Sequence, residues 1–318
     1  MARCEMCETS HEGGIQHCPE HRTGETVQGK YEIGQLLGCG GIAAVYAAHH
    51  RLLGRDIALK VMHKRFASDE ELGARFVREA RETAGMGHPA FVGVHNAGTT
   101  DDGCAFIEMD RLDGVDLYTI RKQEGSISPG RTVQIAIEVL AGLQALHDRG
   151  VIHRDLKSSN IFLVVGPSGE DQVKLLDLGF AKVEDDLGKL TTRNQLLGTP
   201  LYISPEQAAD PTTVDARADV FSLGVVMYEI LTGKWPYTFT SKGDLLPKVL
   251  KGEVERHPAR ARPDLAGWLD LIVAKSMQHD KAKRYASASE MREALEGARR
   301  NTNKPTRPNF LRRLLGRD

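Results

Sequence analysis

The chain has 318 residues, with 42 Lys and Arg against 43 Asp and Glu and a formal net charge of −1 at pH 7. That length supports one large two-lobed domain or two ordinary ones, and the balanced charge excludes a global field drawing nucleic acid or an anionic membrane surface. No stretch approaches the roughly 18 to 20 apolar residues of a membrane span; the longest apolar-rich run, 220–231, is broken by Ser222, Gly224 and Glu229.

Residues 1–24 hold Cys4, Cys7 and Cys18, three of the five cysteines. The start is rich in Cys, His and Glu, where a signal peptide would be basic and then apolar, so a cytoplasmic location is expected. In that reducing compartment clustered cysteines favour metal over disulfide. Cys4-x2-Cys7-x10-Cys18-x2-His21 offers two close pairs of soft ligands, the spacing that lets two tight turns grip one tetrahedral Zn²⁺, with His11 and His17 in reserve. A segment with so few apolar residues would take its folding energy from the metal and could dock a regulatory partner. The competing reading is an unstructured reactive tail.

From Tyr31 the pattern becomes short alternating apolar runs, and 31–37, 44–49 and 56–62 read as three strands of an antiparallel meander. Residues 70–85 carry Leu72, Phe76, Val77 and Ala80 at helical spacing before Gly87 and Pro89. Beyond Gly114 the reading is mostly helical, with helices at 133–148, 219–232 and 268–278 and two strand-like runs at 161–165 and 173–176. Strands first and helices later imply an α+β chain of two lobes, 30–112 and 113–295, with a cleft between them. The tail 299–318, with seven basic residues against one acidic, reads as a flexible basic end.

Four groups of residues then carry chemistry in order. Gly38-Cys39-Gly40-Gly41 sits between two predicted strands, where missing side chains let backbone N–H groups approach phosphate oxygens. Lys60 ends the run Ile57-Ala58-Leu59-Lys60, and Glu79 lies on the predicted helix. His153-Arg154-Asp155-Leu156-Lys157-Ser158-Ser159-Asn160 follows a predicted helix and precedes a strand. Asp177-Leu178-Gly179 stands twenty-two residues beyond Asp155. This set resembles the eukaryotic-type serine/threonine protein kinases, particularly the bacterial ones, over about residues 30–295.

The resemblance implies a two-lobed kinase fold and transfer of the γ-phosphoryl group of ATP to protein Ser or Thr hydroxyls. By it, Asp155 orients the acceptor hydroxyl and takes its proton, Lys157 contacts the γ-phosphate, and Lys60, paired with Glu79, grips the α- and β-phosphates. Asn160 and Asp177 are the implied ligands of Mg²⁺ or Mn²⁺. The adenine slot is assigned to Leu37, Val45, Ala58 and Leu163, with Gly38 and Gly40 at the phosphates, Met109 at the back, and Asp110 to Leu112 as the hinge. Asp219 would pin the catalytic loop and Arg284 would pair with Glu206, both structural roles. Thr191 and Thr192 are the expected autophosphorylation sites, which a dimer could serve. The chain departs from the family at Ala43, where a third glycine is usual, and at Ser158, where proline is common. A nucleotide-binding pseudokinase scaffold is the rival reading; loss of Lys60, Asp155, Asn160 or Asp177 would favour it, and all four are kept.

Overall fold

The computed structural model describes residues 21–166, 169–178, 201–239 and 242–302. Its first lobe comprises β1 (Thr26–Val27), β2 (Tyr31–Cys39), β3 (Ala43–His50), β4 (Arg55–Met62), helix α1 (Glu70–Ala84), β5 (Val94–Thr99) and β6 (Ala105–Met109). The strands form one antiparallel sheet in the order β1-β2-β3-β4-β6-β5. Side chains alternate across a strand, and that alternation sorts this lobe. Ile57, Leu59 and Val61 of β4 join Tyr31, Tyr46 and Phe106 on the outer face. Met62 packs with Ala43, Ala105 and Ile107 against Phe76 and Ala80 of α1. Ala58 and Lys60 therefore share the helix side of the sheet with Met62. Helix α1 is capped by Asp69, whose side chain accepts from Leu72 N, and it buries Phe76, Glu79 and Ala80 on one face.

The second lobe comprises β7 (Gly114–Asp116), α2 (Leu117–Glu124), α3 (Pro129–His147), β8 (Ile161–Val165), β9 (Asp171–Leu175), α4 (Pro205–Ala209), α5 (Arg217–Thr232), α6 (Leu245–Lys251), α7 (Gly267–Ser276) and α8 (Ala288–Thr302). Strands β7, β8 and β9 make a small antiparallel sheet. Helix α5 is buried on every side from Ala218 to Leu231, which is why its sequence shows an apolar run with no polar stripe. It ends at Gly233, in the left-handed region at φ 69°, where a Cβ would lie 2.4 Å from the Gly125 carbonyl oxygen. Only glycine satisfies both conditions.

The three expected strands and the expected helices are present, with ends moved by a few residues. The first lobe holds more strand than the sequence indicates. Strand β5, with the sequence VHNAGT, has no clean alternation, and β6 is buried from Ala105 to Glu108 on both faces; β5 is held by a short hairpin to β6, and β6 joins the sheet by pairing with β4, a long-range contact that leaves no local signature. No helix among the described residues is long and apolar enough to cross a membrane.

Cys4, Cys7 and Cys18, with His11 and His17, lie outside the described residues. His21 lies within them, with its ring edge-on to Tyr46 at 6.0 Å between centroids and Nε2 3.4 Å from Thr23 Oγ1. Among the described residues there is no group of three or more His, Cys, Asp or Glu that could hold a metal. Thr191 and Thr192 also lie outside the described residues.

Candidate active site

Lys60 sits at the centre of the constellation because the β4 pleat turns it towards α1, where Glu79 occupies the helix's buried stripe. Its Nζ donates to Glu79 Oε1 at 2.9 Å and to Asp177 Oδ1 at 2.6 Å. Burial works against the charge on Lys60, but Asp177 and Glu79 outweigh it and raise its pKa above the ordinary lysine value. Burial likewise opposes ionisation of Asp177, and Lys60 overcomes it, holding that carboxyl below the usual range. For Glu79 the balance falls the other way: burial pushes its pKa up despite the pairing. The ammonium is thus firmly charged and shared between two carboxylates.

The register of β8 and β9 brings the next groups together. Ile161 stands opposite Leu175, so Asn160 and Leu176 meet at the same end of the hairpin, where Leu176 N donates to Asn160 O at 2.9 Å. Asp177 follows directly, in the left-handed region at φ 50°, a backbone conformation costly for an aspartate and held here by its surroundings. Asn160 spends its amide nitrogen on Asp155, at 2.9 Å to the carbonyl and 3.2 Å to Oδ2, and Lys157 Nζ donates to Asp155 Oδ2 at 3.0 Å.

Asp219, fully buried on α5, fixes the backbone beneath these groups. Its carboxylate accepts from His153 N and Arg154 N, each at 2.9 Å, and from His147 Nε2 at 2.8 Å. Burial resists its charge, but these donors prevail and keep its pKa low. Arg154 is itself in the left-handed region at φ 63°. Ser204 and Gln207 form a capping box at the start of α4, and Gln207 Nε2 reaches Arg154 O at 3.0 Å. Glu206 takes a two-pronged bond from Arg284 at 2.6 and 2.7 Å. The expected pairings of Asp219 and of Arg284 with Glu206 are thus present.

Three arrangements escaped sequence reasoning. Ser158, where the family commonly has proline, bonds Tyr202 Oη at 2.8 Å; Tyr202 donates to Glu229 Oε2 at 2.7 Å, and Arg121 holds the other oxygen at 3.0 to 3.1 Å. Asp110 turns its carboxylate to Gly93 N at 3.0 Å and His95 Nε2 at 2.6 Å, while its N–H goes to Gly93 O. Finally, His63 and Arg65 bond the glycine-rich turn. None had a local signal, since each partner is distant in sequence.

The remaining expected residues are distributed over both lobes. Leu37 and Gly38 lie on β2, Val45 on β3, Ala58 on β4, Met109 at the end of β6 with Leu112 just beyond, and Leu163 on β8. Leu37 is 46% exposed, whereas Ala58 and Leu163 are buried. Met109 lines a small cavity with Lys60, Glu79, Ile107, Asp177 and Leu178.

The family whose description is protein kinase domain matches residues 31–295. The chain belongs to the protein kinase family. The chain is 38% identical over 277 residues to serine/threonine-protein kinase PknB of Mycolicibacterium smegmatis, covering 85% of this chain and 43% of that protein. It is 36% identical over 278 residues to serine/threonine-protein kinase pkn3 of Myxococcus xanthus, covering 86% and 50%. The chain thus spans half or less of the length of these curated relatives. Among solved structures, a double mutant of the PknI kinase domain of Mycobacterium tuberculosis matches with a TM-score of 0.68 at 27% identity, over 86% of this chain and 97% of that one.

Proposed function

We propose that this chain is an active serine/threonine protein kinase, and the observation that carries the reading is the Lys60 ammonium held between Glu79 and Asp177 beside the Asp155, Lys157 and Asn160 cluster. In the transfer, the acceptor hydroxyl oxygen bonds to the γ-phosphorus as the bond to the β,γ-bridging oxygen breaks, and ADP departs. Asp155 orients that hydroxyl and receives its proton; Lys157 meets charge on the γ-phosphate, and Lys60 steadies the α- and β-phosphates. The adenine is sandwiched by Leu37, Val45, Ala58 and Leu163.

Asn160 and Asp177 suit a hard cation. With its amide nitrogen committed to Asp155, Asn160 has its carbonyl oxygen to offer, and Asp177 has a second carboxylate oxygen, a donor set fitting Mg²⁺ or Mn²⁺. Such an ion neutralises phosphate charge when bound. Loss of a member of this set would favour a pseudokinase scaffold, and the set is complete.

Three finer readings accompany this one. Cys4, Cys7, Cys18 and His21 form a structural zinc site, supported by their spacing, that receives a regulatory partner. Thr191 or Thr192 is autophosphorylated, with a second copy of the chain as enzyme, and the phosphate orders its loop by pairing with arginine. Both events take place in the cytoplasm. The test is transfer from γ-labelled ATP with Mg²⁺, to the chain itself and to a basic protein, comparing wild type with Asp155→Asn. Label on Thr191 or Thr192 that vanishes in the variant is expected. A folded wild type that binds ATP and transfers nothing would overturn the reading in favour of a scaffold, while metal analysis of the purified chain decides the zinc site.

A further inference from the structure

Every carbonyl group of the turn between β2 and β3 accepts a hydrogen bond from the protein. Gly40 O takes His63 Nε2 at 2.8 Å, with Cys39 Sγ at 3.7 Å as a weak second donor. Gly41 O takes Arg65 Nη2 at 2.7 Å. Ile42 O takes His63 N and Ala43 O takes Gly40 N, both at 2.9 Å. His63 is 2% exposed, whereas Arg65 lies at the surface.

A trans peptide is a rigid plane whose C=O and following N–H point in opposite directions. Holding the carbonyls of Gly40, Gly41 and Ile42 on the side of His63 and Arg65 therefore aims the N–H groups of Gly41, Ile42 and Ala43 the other way. Left alone, two adjacent glycines would allow these planes to flip and present carbonyl oxygens, the negative ends of the peptide dipoles, to an anion. The tether also starts three residues beyond Lys60. The strand that presents the phosphate-gripping ammonium thus continues into the residues that orient the turn, so both halves of an anion site move together.

We propose that His63 and Arg65 are positioning residues for the nucleotide phosphates, clamping the glycine-rich turn from behind so that its N–H groups are preorganised for the ATP polyphosphate. The inference rests on the reading of this turn as the phosphate cradle. Neither residue touches the nucleotide in this arrangement; both act through the peptide planes they hold.

The experiment measures calorimetric dissociation constants for MgATP and for adenosine, with kcat and KM for ATP, in wild type, His63→Ala, His63→Gln and Arg65→Ala. Removing a preorganising bond of ordinary strength, about 1.4 kcal/mol or tenfold, weakens MgATP about tenfold in His63→Ala. The surface variant Arg65→Ala, which leaves the core intact, weakens it about threefold. Adenosine, having no phosphates, binds as before, and KM for ATP rises more than kcat falls. His63→Gln, which keeps an N–H donor, recovers most of the loss. Parallel weakening of adenosine and MgATP would overturn the clamp by showing general damage to the lobe, as would unchanged MgATP affinity in both alanine variants. Wild type binding MgATP no more tightly than adenosine would refute the phosphate cradle itself, and the clamp with it.

Discussion

Replacing Asp219 by asparagine tests whether one buried carboxylate holds the catalytic loop in shape. The aspartate accepts three hydrogen bonds at 2.8 to 2.9 Å, two of them from the consecutive backbone N–H groups of His153 and Arg154. Asparagine preserves the outline, but one oxygen becomes an NH₂ group facing a donor. Bonds to a charged acceptor contribute about 1.5 to 3 kcal/mol each, and a buried N–H left unpaired costs about 1 to 3 kcal/mol. The expected loss of stability is therefore roughly 2 to 4 kcal/mol, against a total of about 5 to 15 kcal/mol for a typical domain. The variant should fold yet melt earlier. Because Arg154 occupies the left-handed region next to Asp155, losing its anchor lets that residue relax and displaces the Asp155 carboxylate. Denaturant titration measures the stability change, amide exchange at His153 and Arg154 measures the local release, and steady-state assays should show kcat falling more than KM for ATP rises. Unchanged exchange protection at those two amides, together with unchanged kcat, would refute the argument.

Two further outcomes follow from the packing. His153 is fully buried, neither ring nitrogen has a hydrogen-bond partner among the described residues, and burial holds its pKa below the ordinary value of 6.5. With a depressed folded pKa, its contribution is intact above about pH 6.5 and is lost as pH falls below that value, at up to about 1.4 kcal/mol per pH unit; His153→Leu should flatten the urea-midpoint profile between about pH 6.5 and pH 5, and an unaltered profile would assign that pH dependence to other groups. At Gly142 on α3, an added methyl would stand 2.8 Å from Ala90 Cβ and 2.9 Å from Leu175 Cδ1. Gly142→Ala should cost about 1 to 3 kcal/mol by overpacking, visible as a melting temperature lowered by several degrees in calorimetry, whereas an unchanged value would mean that Ala90 and Leu175 yield freely.

The chemistry-bearing residues could be read from the chain because phosphoryl transfer requires particular groups in short local motifs. Lys60 lies in a strand-like run, Glu79 rides a helical stripe, and Asp155, Lys157 and Asn160 lie within six consecutive positions. Local periodicity likewise disclosed β2 to β4 and α1, since alternation and helical spacing are properties of neighbouring residues. Tertiary structure alone decided which of these groups share a charge. Asp177 reaches Lys60 across 117 positions only because the β8 and β9 register turns it back into the cleft. The same holds for Ser158 with Tyr202, Asp110 with His95, and His63 with Gly40. Hydrogen bonds between distant segments depend on where the backbone has already been placed, and no spacing rule along the chain encodes that position.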